Sequence, residues 1–472
     1  MIVRTARATA VLTATAALAA VPLLLGAAPA TPPAPAPHDR AEVFARALAD
    51  ATTADGALRH LAEFQRIADA SGGHRAAGSP GHEESARYAG RLLEAAGYDV
   101  THQRFTFDHR EPLTERLTQL TPDERAIPVR TLTYTPATPD GGIQAPLADA
   151  GTACAPSPAG TYTGRIALIE RGDCTFAEKQ ANAAAGGALA ALVRNNTAGE
   201  LSGTLGDPAA GRIPTGGITR EDGTALADAL AAGETVTVRL ELAELAEERE
   251  TVNVIADSPG GDPRRTVMAG AHLDSVPDGP GINDNGSGSA ALLETALRLA
   301  EADPAGRAPH HLRFALWSAE ESGLAGSEHY VEHLPGGASD AIALYLNFDM
   351  LASPNHGLFV LDGDPAIAGD LTELLRAEGA DPEATALDGR SDHTPFIDAG
   401  IPAGGVFTGA EGIKTPAGAD RWGGTADSAY DPCYHRPCDD LDNIGRPALT
   451  VTARVVAHAV GRYAWSLPGT AR

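Results

Sequence analysis

The chain has 472 residues, of which 43% are hydrophobic and 21% charged. That length predicts two or three domains with cores that need no disulfide to fold, and the charged fraction excludes a disordered polyelectrolyte. The formal net charge of −26, from 36 basic and 62 acidic side chains, argues against nucleic acid or an anionic membrane surface as partner.

Arg4 and Arg7 precede an alanine-rich apolar run over 8–28, and the small residues Ala28-Pro29-Ala30 close it. A basic start, apolar middle and small-residue end predict a signal peptide over 1–30 and export of the chain. The rival reading, a membrane anchor, is weakened by Thr13, Thr15 and Pro22 inside the run. A Pro/Ala linker over 31–37 follows, and no later segment is apolar enough to anchor the mature chain in a membrane.

From 39 to 100 the pattern is helical. Leu58, Leu61, Phe64 and Ile67 recur every three residues, and Tyr88, Leu92 and Leu93 lie on a second helix that ends at Gly97. Alternation over 100–107 predicts a strand. Over 132–242 short β-like runs at 165–170 and 235–240 sit among glycine-rich turns with one helix at 176–185, the texture of a separate small α/β module. We set the boundaries at 38–125 for the first part of the main domain, 126–247 for the module and 248–472 for the rest of the main domain. From 252 onward strands (266–271, 311–317, 342–347, 402–407) alternate with helices (287–299, 326–333, 366–379, 447–466). This predicts an α/β fold whose mostly parallel central sheet carries helices on both faces.

Four cysteines in an exported chain predict two disulfides, and short separations favour Cys154–Cys174 and Cys433–Cys438. Their spacing matches no zinc-finger pattern.

In such a sheet the chemistry lies beyond the carboxyl ends of the strands. There the sequence offers His272 and Asp274, then Asp284 in the next turn, Glu320 and Glu321, Asp349, and His435 in a late loop. So many carboxylates at adjacent strand ends would repel one another unless cations neutralised them. Two histidines and three ligating carboxylates suit two metal ions that share a bridging carboxylate. Imidazole and carboxylate without thiolate suit Zn²⁺, with Co²⁺ or Mn²⁺ also acceptable. Asp274, two residues after His272, could orient its imidazole. Adjacent Glu320 and Glu321 point apart, so one can bind metal while the other takes a proton from water.

The stretches His272-Leu-Asp-Ser, Pro280-Gly-Ile-Asn-Asp-Asn-Gly-Ser-Gly-Ser, Ala319-Glu-Glu-Ser-Gly-Leu, Asn347-Phe-Asp-Met, Gly389-Arg-Ser-Asp-His and Cys433-Tyr-His-Arg-Pro-Cys closely resemble the secreted di-zinc aminopeptidases of the Streptomyces and Vibrio type. The resemblance implies His272 and Asp349 on one zinc, Glu321 and His435 on the other, and Asp284 between them. It implies Glu320 as general base, Tyr434 as hydrogen-bond donor to the tetrahedral intermediate, Arg390 as a substrate-fixing residue, and a cis bond between Asp284 and Asn285. The stretch 163–179 resembles the core of a protease-associated domain, a non-catalytic insertion. The expected enzyme is monomeric and takes peptides with a free N-terminus. The alternatives are a dipeptidase or carboxypeptidase of the same fold, a single-zinc acyl transferase of the glutaminyl-cyclase type, and a binding protein that has lost catalysis.

Three further motifs have plainer readings. Gly286-Ser-Gly288 lacks the third glycine of a dinucleotide loop and fits a tight turn. His329-Tyr-Val-Glu-His333 spells an inverted zincin motif on a polar helix that the ligand set does not need. Asn195-Asn-Thr197 fits a glycosylation sequon.

Overall fold

A computed structural model describes residues 37–197, 199–387 and 389–468. The expected signal peptide, and the linker except for its last residue, lie outside the described residues.

Three helices lead: α1 (Pro37–Ala51), α2 (Ala54–Ala70) and α3 (Pro80–Ala95). Thr53 and Ser79 cap α2 and α3 by accepting the N–H groups of Gly56 and His82. Then come β1 (Asp99–Thr121), β2 (Arg125–Ile127), β3 (Arg130–Thr131), β4 (Ile143–Asp149), β5 (Ile166–Glu170), α4 (Phe176–Ala185), β6 (Ala190–Arg194), β7 (Thr215–Ile218), α5 (Arg220–Ala231) and β8 (Thr237–Asp257). The rest is β9 (Asp262–His272), α6 (Gly288–Ala302), β10 (His310–Trp317), α7 (Ala325–Glu332), β11 (Ile342–Phe348), β12 (Phe359–Leu361) and α8 (Pro365–Ala377). It closes with β13 (Glu383–Thr385), α9 (His393–Asp398), β14 (Ala403–Phe407), α10 (Pro416–Trp422) and α11 (Arg446–Trp465).

The centre of the main sheet, β10-β9-β11-β14, is parallel, as expected. Its flanks are antiparallel, β8 against β10 and β12 against β14. Strand periodicity splits the apolar side chains between two cores. Val254, Val267, Ala269, Phe314, Leu316, Leu344 and Leu346 pack toward α2, α6, α8 and α11. Ile255, Met268, Ala315, Trp317 and Tyr345 face the other way, onto Tyr330 of α7 and Phe396 of α9. Helices therefore cover both faces.

Two strands run much longer than their apolar patterns predict. β1 and β8 form one antiparallel ribbon from Asp99 opposite Asp257 to Thr121 opposite Thr237. The ribbon leaves the main sheet and enters the inserted module, where β4 pairs with β8 and β4-β5-β6-β7 form a small parallel sheet. The disulfides are Cys154–Cys174 and Cys433–Cys438, the favoured pairing. Asn195 is buried and its amide donates to the carbonyls of Gly199 and Glu200, so the sequon offers no accessible acceptor. Among the described residues no helix is long and apolar enough to cross a membrane.

Candidate metal centre

The site is assembled at the carboxyl ends of three neighbouring parallel strands. His272 ends β9, Glu320 and Glu321 follow β10, and Asp349 follows β11. Asp284 sits in the turn that opens α6, after a left-handed Gly281 whose Cβ would meet the Asp284 carbonyl at 2.3 Å. The Asp284–Asn285 bond is cis. Gly288 is equally required, because a Cβ there would lie 2.3 Å from the Phe348 carbonyl. Gly281 thus serves the tight turn, and Gly288, already helical, lets α6 approach the end of β11.

Asp284 lies between the two imidazoles. Its Oδ1 is 3.3 Å from His272 Nε2 and its Oδ2 is 3.1 Å from His435 Nε2. Asp349 Oδ1 is 3.5 Å from His272 Nε2, and Glu321 Oε2 is 3.1 Å from His435 Nε2. Glu320 Oε2 approaches His272 Nε2 at 3.9 Å. Ligand atoms of His272, Glu320 and Asp349 come within 4.8 Å of one another, as do those of His272, Asp284 and Glu321. By distance alone Glu320 belongs with the first set; by contact with His435 Glu321 belongs with the second. His329 on α7 and His333, which caps its end, stack on each other with ring centroids 4.0 Å apart and join neither set.

A divalent cation fits this constellation. Glu321 Oε1, Asp349 Oδ1 and Asp274 Oδ2 are buried oxygens without a hydrogen-bond partner, which is costly unless a cation meets them. Electrostatics agree. Burial opposes charge on His272, yet Glu320, Asp349, Asp274 and Asp284 hold its pKa well above the usual histidine range. Burial likewise opposes charge on His435, while Glu321 and Asp284 carry it up to about 11. Burial pushes the Glu320 carboxyl well above the carboxylate range, against His272 and with Glu321, Asp392 and Asp349. These shifts express the same crowding of carboxylates around two imidazoles.

The supporting residues were mostly invisible to sequence reasoning. Arg75 is fully buried. It donates to the carbonyls of Leu273, Pro280 (2.9 Å) and Gly281 (2.6 Å), tying together the two segments that carry His272 and Asp284. A relay of hydrogen bonds runs from Trp317 to the Tyr345 hydroxyl (2.8 Å), on to Asn347 Oδ1 (3.0 Å), from Asn347 to Ser391 (2.8 Å), and from Ser391 to Asp349 Oδ2 (2.7 Å). Asp274 stands beside His272 Nδ1, its main-chain carbonyl at 3.1 Å and its carboxylate oxygen at 3.7 Å, and that same carboxylate oxygen accepts the Glu320 N–H. Strained backbone marks the same segments, with φ of 57° at Ala319, 47° at Met350 and 55° at His435.

Tyr434 stacks on His435 at 3.8 Å between ring centroids. Arg390 Nη2 donates to the Tyr434 hydroxyl at 3.0 Å, and Arg390 Nη1 pairs with Glu411 at 2.9 Å. The Cys433–Cys438 bridge closes the loop that carries Tyr434 and His435. A loop this short removes only about 2 kcal/mol of unfolded-state entropy, so we expect its effect to be local. Replacing both cysteines by serine should weaken metal binding and depress kcat while lowering Tm of the metal-loaded protein only slightly. A large loss of Tm with normal turnover per folded molecule would make the bridge a general staple instead.

An α/β sheet with a histidine–carboxylate cluster at the ends of its parallel strands has the make-up of a metal-dependent enzyme. Residues 253–460 match the model of Peptidase family M28, and residues 143–226 match the PA domain. The chain is 41% identical over 453 residues to the Mycobacterium tuberculosis protein named "Probable lipoprotein aminopeptidase LpqL", covering 90% of this chain and 88% of that one. Its fold is similar to that of an aminopeptidase from Aneurinibacillus sp. strain AM-1 (TM-score 0.72, 30% identity, 90% of this chain and 97% of that one). It is also similar to BSAP, a zinc aminopeptidase from Bacillus subtilis (TM-score 0.64, 28% identity, 87% and 94%). The chain belongs to peptidase family M28, with a PA domain inserted between the two parts of its peptidase domain.

Proposed function

We propose that this protein is a secreted aminopeptidase that binds two zinc ions per chain and removes N-terminal residues from peptides. The observation that carries the reading is Asp284, whose two oxygens each face a different imidazole, 3.3 Å from His272 and 3.1 Å from His435. Its aminopeptidase relatives and a zinc-containing structural neighbour support the same activity and metal. Secretion rests on the basic, apolar and small-residue succession of the first 30 residues and on the two disulfides.

In this reading His272 and Asp349 hold one zinc, Glu321 and His435 the other, and Asp284 is shared. When bound, zinc supplies Lewis acidity toward water and the scissile carbonyl. Glu320 accepts the proton of the attacking water and delivers it to the leaving amine, a role suited to a buried carboxylate beside the metal ligands. Because Arg390 donates to the Tyr434 oxygen, the phenolic proton is left to point at the developing oxyanion. The substrate's free ammonium is drawn to the acidic cluster, which makes the enzyme an exopeptidase.

The cavity that contains the site, about 530 Å³, has Asp284, Glu321, Asp349 and His435 with Arg390 and Glu411 on its polar side and Met350, Phe359, Leu361, Val406, Phe407 and Tyr430 on its apolar side. We expect cleavage of leucyl- or phenylalanyl-nitroanilide to exceed that of glutamyl- or glycyl-nitroanilide at least tenfold in kcat/KM, since burying two or more methylenes is worth about 1.6 kcal/mol. A panel of aminoacyl-nitroanilides with one N-blocked substrate, run with and without chelator, tests both claims. Equal cleavage of the blocked substrate would refute aminopeptidase action. A metal count near one zinc per chain would favour the acyl-transferase alternative.

A further inference from the structure

Behind the ligands lies a buried polar cluster that the reaction does not touch. Asp439 follows Cys438 directly and is 1% exposed. Its Oδ1 accepts the N–H of Asn283 at 2.9 Å and its Oδ2 accepts the N–H of Asp284 at 3.0 Å. Its main-chain carbonyl accepts the N–H of Ile282 at 3.0 Å. Three consecutive N–H groups leading into Asp284 therefore end on one residue. Asp431, also 1% exposed, stands two residues before Cys433. It accepts from Asn283 Nδ2 at 2.6 Å and from the N–H of Cys433 at 2.8 Å. Asn443 Nδ2 joins the two acids, lying 3.0 Å from Asp439 Oδ1 and 3.0 Å from each oxygen of Asp431.

We propose that Asp439, braced by Asn443 and Asp431, is the positioning residue that sets the metal-binding geometry of Asp284 relative to His435. The inference rests on the two-metal reading of the site. Asp431 and Asp439 bracket the disulfide loop that carries His435, and both grip the turn that carries Asp284. The two ligands whose atoms meet at 3.1 Å are thus referred to the same pair of carboxylates. The chemistry calls for aspartate at 439. Two parallel N–H donors need two acceptors, whereas an asparagine would offer one and set an NH₂ group against the other donor. Burying two carboxylates beside each other is costly, and the geometry names what that cost achieves: a rigid seat for the shared ligand. Arg75 completes the seat from the opposite side through the carbonyl of Gly281.

The test uses the full chain and Asp439→Asn. Five quantities are read: zinc bound per chain against a competing chelator, the absorption spectrum of the Co²⁺-substituted protein, kcat, KM, and Tm of the metal-free protein. Loss of an outer hydrogen-bond partner costs about 10–100-fold in metal affinity or activity. We expect zinc affinity to fall by about that factor, kcat to fall with it, the Co²⁺ visible bands to change, and KM to stay within about threefold. Tm of the metal-free protein should move little. Unchanged zinc affinity and an unchanged Co²⁺ spectrum, with only a lower Tm, would overturn the proposal and make Asp439 a fold staple. If Asp439→Asn does not fold, Asn443→Ser is read by the same criteria. Wild-type protein that binds fewer than two zinc ions overturns the two-metal reading itself; wild type with two and a variant of unchanged affinity overturns only the positioning role.

Discussion

Glu320→Gln should retain two zinc ions per chain and lose about 10²–10⁴-fold in kcat, with KM little altered. Glutamine keeps the size and the buried packing of Glu320 but cannot accept a proton. One geometric feature favours the base role over ligation. Glu320 Oε2 stays 3.9 Å from His272 Nε2, the longest of the carboxylate contacts to that imidazole, and neither Glu320 oxygen pairs with His435. The competing assignment is equally concrete, because the Glu320 ligand atom lies within 4.8 Å of those of His272 and Asp349. Metal analysis decides. A variant that loses one zinc, with normal turnover in the fraction still fully loaded, would make Glu320 a ligand and pass the base role to Glu321.

Asp284→Ala should empty both metal positions together and reduce activity to the chelator-treated background. One carboxylate here faces both imidazoles, so its removal takes a ligand and a negative charge from each position at once. The main-chain seat survives, because the N–H groups of Asn283 and Asp284 remain bonded to Asp439. The variant should therefore fold with metal-free stability close to that of the parent. Zinc measured after dialysis checks the claim. One position emptied and the other full would show that Asp284 serves a single metal ion, and the two-metal proposal would fall.

Some of this arrangement is dictated locally. The helix at 176–185 is legible because Thr175 and Glu178 form a capping box before an alanine-rich run. The strands at β9, β10 and β11 are legible because strands buried on both faces are continuous apolar runs, and their polar ends advertise the ligands. The β1–β8 ribbon was legible only at its apolar ends. Its middle carries Asp108, Arg110, Glu111, Glu247, Glu248 and Arg249, and there only His109 is buried, so no apolar alternation declares it. Cross-strand hydrogen bonding holds it in strand conformation, and such bonding is a property of two distant segments together.

By itself, then, the sequence located the central parallel strands and the main helices in order, favoured the disulfide pairing by proximity, and offered the residues that the fold brings together: His272, Asp284, Glu320, Glu321, Asp349 and His435, with Tyr434 added by the family resemblance. Each of these depends on local pattern or on a short motif. Only the tertiary structure decided which groups support them. Arg75, in a Gly-Gly-His-Arg loop, reads as a surface residue, yet it is wholly buried because carbonyls from 273, 280 and 281 converge on its guanidinium. Asp431, Asp439 and Asn443 read as a polar surface turn, yet they become a buried clamp because the turn at 282–284 brings its donors to them across about 150 residues of chain. A buried polar group is defined by the partner that satisfies it: main-chain carbonyls for Arg75, and for the clamp both main-chain N–H groups and the distant side chain of Asn283, none of which the local sequence around the buried residue declares.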